Sequence, residues 1–177
     1  MNPYESEHWR EICRRVESIA IQILPHLNRK KIKSEVISNL FETLSGEYFT
    51  SIGLPTQVAS NDREPDLTFP TGPCEIKVTG IDHPFTARCK WMGGKYSKRN
   101  SDYIFIMWYS CIDEMRFSVH HCYATENDWK TIDNGKENYY ATVFESDMIL
   151  NREHKQLVGS RAGEKFLLEK ISENSNS

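Results

Sequence analysis

Two carboxylates and a lysine stand close together in this chain, on segments whose composition predicts extended backbone. Asp66 follows Pro65, and eight residues separate Asp66 from the run Glu75, Ile76 and Lys77. Carboxylate oxygens are ligands that Mg²⁺ accepts in proteins, and a lysine ammonium stabilises a neighbouring phosphate. These residue types at this spacing could therefore hold a divalent metal ion beside an anionic ester.

The segments around these residues predict a β-hairpin. Residues 66–69 and 74–79 alternate apolar with polar side chains, which is the period of a half-buried strand. Residues 70–73, Pro-Thr-Gly-Pro, are typical of a turn. With those four residues as the loop, the simplest register pairs Phe69 with Cys74, Thr68 with Glu75, Leu67 with Ile76, and Asp66 with Lys77.

In this register Asp66, Glu75 and Lys77 share one face of the hairpin. Opposed β-carbons lie about 5 Å apart and diagonal ones about 7 Å, so the two carboxylates could converge on one ion. A solvated hairpin with a weak Asp66–Lys77 ion pair would show the same pattern, and that alternative stays open. The other face is apolar and is predicted to pack on a core: Leu67, Phe69, Cys74, Ile76 and Val78.

Through Pro65, Asp66, Glu75 and Lys77 the chain resembles the PD-(D/E)xK nuclease superfamily, and within it the small type II restriction endonucleases. A predicted helix before these residues and hydrophobic strands after them extend the resemblance over residues 30–110. It implies an α/β (α+β) fold with a central mixed β-sheet flanked by helices, a restriction-endonuclease-like core. It also implies Mg-dependent hydrolysis of phosphodiester bonds in double-stranded DNA at a short specific sequence, as in a restriction-modification system.

The resemblance also assigns roles. It makes Asp66 and Glu75 the ligands of Mg²⁺, for which Mn²⁺ can substitute, with the backbone carbonyl of Ile76 as a further ligand. Lys77 would orient or help to deprotonate the attacking water. A helical glutamate before the motif often reaches the metal in this superfamily, which makes Glu35 a tentative ligand, whereas helical periodicity alone leaves Glu35 in solvent.

The net charge of −3 conceals two basic clusters. One opens a predicted helix and contains Arg29, Lys30, Lys31 and Lys33. The other, within residues 88–99, contains no acidic residue and predicts a mobile loop that contacts DNA phosphates or base edges. Its candidate DNA-binding residues are Arg88, Lys90, Lys95, Lys98 and Arg99; a merely solvated loop is the alternative.

Length and composition predict one nuclease domain over residues 1–177. Residues 1–28 form an N-terminal helical part that could contact a second subunit, 29–124 the catalytic core, and 172–177 a disordered tail. A palindromic DNA target favours a homodimer. The chain has no apolar run long enough for a membrane and no signal peptide, so we expect a cytoplasmic protein of a prokaryotic cell with no membrane partner. Five cysteines without C-x-x-C spacing indicate reduced thiols.

Other predicted elements follow from periodicity and turn residues. They are helices over 4–24 and 29–49, a strand buried on both faces over 103–109, a strand over 116–123, a short helix opened by a Thr125–Asp128 capping box and containing Trp129, a strand over 139–144 and a helix over 161–171. His121 is predicted to pack rather than to bind zinc, and Cys74 to face the core. Two other functions stay open: a structure-selective repair or recombination nuclease, and a non-catalytic DNA-binding module whose Asp-Glu-Lys set is a surface ion-pair group.

Overall fold

The computed structural model describes residues 1–80, 90–93, 100–110, 115–133, 140–145 and 153–159. Two α-helices lie in these ranges, α1 (Ser6–Ile23) and α2 (Lys30–Ser51). The strands of the same ranges are β1 (Gln57–Val58), β2 (Leu67–Phe69), β3 (Gly72–Gly80), β4 (Lys90–Gly93), β5 (Ser101–Ser110), β6 (Met115–Ala124), β7 (Lys130–Asp133), β8 (Tyr140–Glu145) and β9 (Lys155–Val158). The helix predicted over 161–171 and the tail at 172–177 lie outside the described residues.

Both predicted N-terminal helices are confirmed to within two residues at each end. In α1 the buried side chains recur at helical spacing, with Trp9, Ile12 and Val16 fully buried. The helix gives way at Pro25 to a 3₁₀ turn, Leu24–His26, because proline cannot donate the next helical hydrogen bond. Each helix therefore presents one apolar face to the rest of the domain.

The central sheet has six strands in the order β1-β2-β3-β5-β6-β9. β3 and β5 are parallel, and the other neighbours are antiparallel. A separate three-stranded sheet has the order β4-β8-β7. A mixed sheet packed with two helices confirms the predicted α+β class.

The core lies between the helices and one face of the six-stranded sheet. Phe41 of α2 packs edge-on against Phe117 of β6, with ring centroids 5.3 Å apart. The indole N–H of Trp108 on β5 donates to Ser34 Oγ at 3.2 Å. The strand predicted at 103–109 is confirmed as β5, and its residues 103–108 are buried on both faces, since none is more than 5% exposed.

Two other local predictions need correction. Residues 88–99 were predicted as a loop throughout, but Lys90–Gly93 forms β4, which pairs antiparallel with β8. The Thr125–Asp128 capping box is confirmed, but the 3₁₀ helix that it opens ends at Asp128, and Trp129 follows it. The strand predicted over 139–144 is confirmed as β8.

Among the described helices, none is both long and apolar enough to cross a bilayer.

Candidate functional site

The predicted hairpin forms, but its turn is shorter than predicted. The pairs are Phe69 with Gly72, Thr68 with Pro73, and Leu67 with Cys74. Only Pro70 and Thr71 remain in the turn, and Gly72 has a φ of 132°, a conformation that glycine adopts without steric cost. The predicted pairing of Phe69 with Cys74 is therefore wrong by two residues, because the glycine permits a tight turn.

A shift of two residues leaves every side chain on its predicted face, because side chains alternate with a period of two. The apolar face is confirmed: Leu67, Phe69, Cys74 and Ile76 are each at most 2% exposed. What changes is the residue opposite Asp66. If the observed register is continued by one residue, Glu75 lies opposite Asp66. Lys77 lies two residues further along β3, on the same face as Glu75.

Asp66 anchors the hairpin through its side chain. Its Oδ2 accepts a hydrogen bond from the backbone N–H of Ile76 at 2.8 Å. The backbone pairing of β2 with β3 ends at Leu67 and Cys74. Beyond that pair, the Asp66 carboxylate takes the place of a backbone partner along the same edge of β3. The N–H and C=O of one residue in a strand point to the same edge. The Ile76 carbonyl therefore faces the side of β3 on which Asp66 lies.

Glu75 and Lys77 stand on the sheet face opposite the helices. Glu75 is fully buried, and its Oε2 lies 3.6 Å from Lys77 Nζ. The Lys77 side chain is 20% exposed, so part of it remains in contact with solvent. The structure thus brings Asp66, Glu75 and Lys77 together. The ion pair joins Glu75 and Lys77, whereas the predicted register placed Asp66 directly opposite Lys77.

An aromatic wall adjoins Glu75 on this face. Tyr103 pairs with Glu75 across the parallel β3–β5 ladder, its ring stacks on Phe105 with centroids 5.4 Å apart, and Trp129 lies 5.6 Å from it. Burial raises the pKa of the Tyr103 hydroxyl, and the carboxylates of Glu75 and Asp66 act in the same direction. The sequence predicted a buried β5 but not that Tyr103 would lie beside Glu75, because the parallel register joins segments 28 residues apart.

The donor atoms fit a hard divalent cation. Asp66 and Glu75 supply carboxylate oxygens and Ile76 a carbonyl oxygen, the ligand types of Mg²⁺, which binds through one or two carboxylates and keeps several waters. Among the described residues, no group of three or more His, Cys, Asp or Glu side chains is placed to hold a metal. Asp66 and Glu75 thus supply two carboxylates, which is the number with which proteins commonly hold Mg²⁺.

Glu35 lies apart from these residues. It is exposed on α2, which packs through Ile37 and Phe41 against the sheet face that carries Ile76. Glu75 projects from the opposite face. The structure therefore places Glu35 in solvent, as its helical periodicity predicts, and does not bring it to the two carboxylates.

One of the five predicted DNA-binding residues lies in a described element. Arg88, Lys95, Lys98 and Arg99 lie outside the described residues, and Lys90 begins β4. β4 follows β3 in the chain and contacts it. The described part of the basic segment, β4, therefore lies against the strand that carries Glu75 and Lys77.

His121 and Cys74, for which the sequence predicts no zinc or nucleophile role, are both packed residues. The ring of His121 stacks on Tyr4 with centroids 3.8 Å apart, and its Nε2 lies 2.9 Å from Asp102 Oδ1. Cys74 is fully buried, and burial raises the pKa of its thiol well above the ordinary value. The predictions that His121 packs and that Cys74 faces the core are both confirmed.

Comparison of the chain with protein-family models, with curated proteins and with solved structures found no match.

Proposed function

We propose that this protein is a Mg²⁺-dependent endonuclease that hydrolyses phosphodiester bonds of double-stranded DNA at a short specific sequence, on a restriction-endonuclease-like core. The observation that carries the proposal is the convergence of three groups. Asp66 is fixed on the Ile76 N–H at 2.8 Å, and the neighbouring Glu75 holds Lys77 at 3.6 Å. The carboxylates of Asp66 and Glu75 and the ammonium of Lys77 thus lie at neighbouring positions of the hairpin.

Each residue has a distinct part in this proposal. Asp66 and Glu75 would hold the ion, with the Ile76 carbonyl as a further oxygen donor. Bound Mg²⁺ supplies Lewis-acid polarisation of the phosphate and lowers the pKa of a coordinated water. Lys77, partly exposed, would orient the attacking water and, as an ammonium, stabilise the charge on the phosphorane oxygens; it could help to deprotonate the water only after giving up a proton of its own.

The burial of Glu75 favours this function over a surface ion-pair group. Exposed ion pairs contribute little and need no enclosed carboxylate. A fully buried carboxylate costs desolvation energy unless it is compensated, and such groups concentrate at functional sites. Glu75, enclosed by Tyr103 and held by Lys77, has the environment of a functional carboxylate.

DNA binding would depend on the basic segment at residues 88–99. Arg88, Lys90, Lys95, Lys98 and Arg99 would contact phosphates or base edges, so their loss should weaken binding more than it slows the chemical step. A homodimer would match a palindromic site, because protein symmetry mirrors DNA symmetry.

The test is a plasmid digest with Mg²⁺ by four purified proteins: wild type, Asp66→Ala, Lys77→Ala and Asp62→Ala. Asp62 is an exposed carboxylate four residues before Asp66 and serves as the matched control. We expect discrete fragments from wild type and Asp62→Ala and none from the other two. Sequencing the fragment ends then gives the recognition site.

Other outcomes would select another function. Cleavage of branched DNA without cleavage of an intact duplex would indicate a structure-selective repair nuclease. DNA binding that is equal in all four proteins, without cleavage, would indicate a non-catalytic binding module.

A further inference from the structure

The connection between α1 and α2 lies at one end of the central sheet. Near the end of α1, Glu17 Oε2 accepts the backbone N–H of Met115, the first residue of β6, at 2.9 Å. Near the start of α2, Ser34 Oγ accepts the indole N–H of Trp108 at 3.2 Å. Met115 and Trp108 lie where β5 ends and β6 begins. Residues 18–33, which we call the helical tip, therefore lie at that end of the sheet.

The same end of the sheet is the one toward which β3 runs from the candidate site. β3 and β5 are parallel, and Gly80, the last residue of β3, pairs with Trp108. Lys77 precedes Gly80 by three residues, which is about 10 Å along the strand. α2 returns along β3 in the opposite direction, because Phe49, near its other end, packs on Phe69 with ring centroids 5.0 Å apart, and Phe69 pairs with the first residue of β3. The helical tip and Lys77 thus lie toward the same end of β3, although α2 covers the other face of the sheet.

The helical tip is strongly basic. No aspartate or glutamate occurs in the chain between Glu17 and Glu35. The cationic residues of the tip stand within five positions, and they are Arg29, Lys30, Lys31 and Lys33. The first three are exposed, and the fourth is half-buried. Such a dense group of cations, with no carboxylate near it in the chain, attracts polyanions because the fields of like charges add.

The exposed isoleucines of the helical tip do not form one apolar face. Ile19 and Ile23 are each 37% exposed and share one side of α1, because they are four residues apart. Ile21, 44% exposed, is two residues from either and points to another side of α1. A helix that lies on a lipid surface needs a single apolar face opposite its charges. The cations of the helical tip therefore fit the phosphates of a nucleic acid better than the headgroups of a bilayer.

We propose that the helical tip is a second DNA-contact surface, in which Arg29 and Lys31 bind backbone phosphates to one side of the cleaved position. This inference rests on the proposed nuclease function and adds a contact to the one assigned to residues 88–99. Arg29 and Lys31 precede Ser34 by five and three residues, which is about 8 and 5 Å along the direction of α2. Together with the distance of about 10 Å between Lys77 and the end of β3, these steps separate the two cations from Lys77 by about 15–18 Å along the sheet. At about 3.4 Å per base pair, the contact falls about five base pairs from Lys77.

The experiment measures binding of a fluorescein-labelled random-sequence DNA duplex by fluorescence anisotropy, without Mg²⁺ and over a range of KCl concentrations. Phosphate contacts carry no sequence information, so a random duplex reports them. In Arg29→Gln/Lys31→Gln we expect Kd at low salt to rise at least about tenfold. The slope of log Kd against log KCl concentration should also fall by about 2, because each phosphate contact contributes about 0.9 to that slope.

The matched control is Arg10→Gln/Arg14→Gln. It removes the same charge from two exposed residues of α1, which line a cavity with residues of β6 and β9 rather than the β3 side of the sheet. All four substituted positions are exposed, so both variants should fold as wild type does. We expect the control to bind the duplex with the Kd and the salt dependence of wild type.

Two results would overturn the proposal. One is an Arg29→Gln/Lys31→Gln variant whose Kd and salt slope equal those of the control. The other is binding of wild type to phosphatidylglycerol vesicles that this variant loses while its DNA binding stays unchanged, which would assign the helical tip to an anionic lipid surface.

None of these measurements requires cleavage, so the contact and the nuclease function can fail separately. If Arg29→Gln/Lys31→Gln binds DNA weakly but wild type does not cut plasmid in Mg²⁺, the contact stands and the nuclease function fails. If wild type cuts plasmid but Arg29→Gln/Lys31→Gln binds as tightly as the control, the function stands and the contact fails.

Discussion

Asp66 has two separable roles, and substitution by asparagine or alanine distinguishes them. Its Oδ2 accepts the Ile76 N–H at 2.8 Å, and Ile76 is only 2% exposed. Asparagine keeps an oxygen that can accept this bond but removes the negative charge. Alanine removes both the bond and the charge.

The structure sets the size of each effect. A hydrogen bond to a charged group contributes about 1.5–3 kcal/mol, and in a domain of this size each kcal/mol moves the melting temperature by about 2–4 °C. Asp66→Ala should therefore lower Tm by about 3–12 °C. Asp66→Asn should lower it by less than about 4 °C, because the backbone N–H keeps an acceptor. Both variants should lose cleavage by about 10²–10⁴-fold, which corresponds to the several kcal/mol that a metal ion contributes to the transition state.

The assay measures Tm by scanning calorimetry and initial cleavage rates on supercoiled plasmid with saturating Mg²⁺. If Asp66→Asn cleaves as fast as wild type, the carboxylate is not a metal ligand. If Asp66→Ala is as stable as Asp66→Asn, the hydrogen bond does not stabilise the hairpin as argued.

Further predictions concern the lysine, a buried histidine and a close glycine contact. Lys77→Met should slow cleavage at least about 10²-fold yet leave DNA affinity, measured by fluorescence anisotropy without Mg²⁺, within about threefold; a parallel loss of affinity would place Lys77 in DNA binding instead. Burial, with a smaller contribution from His154, lowers the pKa of His120 to about 4. As the pH is lowered, the imidazole of His120 is protonated near pH 6.5 in the unfolded chain but only near pH 4 in the folded chain. The free energy of unfolding should therefore fall by about 3 kcal/mol as the pH is lowered from 6.5 to 4. Urea titrations at several pH values would measure this change in the free energy of unfolding. We expect the decrease in His120→Asn to be about 3 kcal/mol smaller than in wild type, and an equal decrease in both proteins would contradict this explanation. A β-carbon at Gly80 would lie 2.8 Å from Trp108 Cε2 and Cζ2, so Gly80→Ala should lower the free energy of unfolding by about 1–3 kcal/mol. The loss of stability should be smaller when Gly80→Ala is combined with Trp108→Leu. An equal loss with and without Trp108→Leu would show that the contact with Trp108 is not the cause.

Several parts of the fold could be predicted because they depend on local pattern. The spacing of Trp9, Ile12 and Val16 predicts α1, and the unbroken apolar run of β5 predicts a strand covered on both faces. The alternation around Asp66 and Glu75 predicts which side chains share a face. The assignment of side chains to faces is correct although the predicted register was wrong by two residues, because a shift by an even number of residues leaves each side chain on the same face.

Long-range pairing could not be predicted. β4 is four residues long, and it becomes a strand only by pairing with β8 some fifty residues later. The two-residue turn before Gly72 depends on that residue's positive φ, which a Pro-Thr-Gly-Pro segment permits but does not require.

By itself, then, the sequence determined the residue types of the candidate site and their common face, because strand alternation is a property of the backbone alone. Only the tertiary structure decided that Glu75 is fully buried and paired with Lys77, that Asp66 holds the Ile76 N–H, and that Glu35 remains on the other side of the sheet. The reason is physical. Burial and electrostatic environment depend on which distant segments cover a side chain. Beside Glu75 that segment is β5, whose Tyr103 pairs with Glu75 in a parallel ladder and packs in turn against Trp129, and no local pattern specifies either contact.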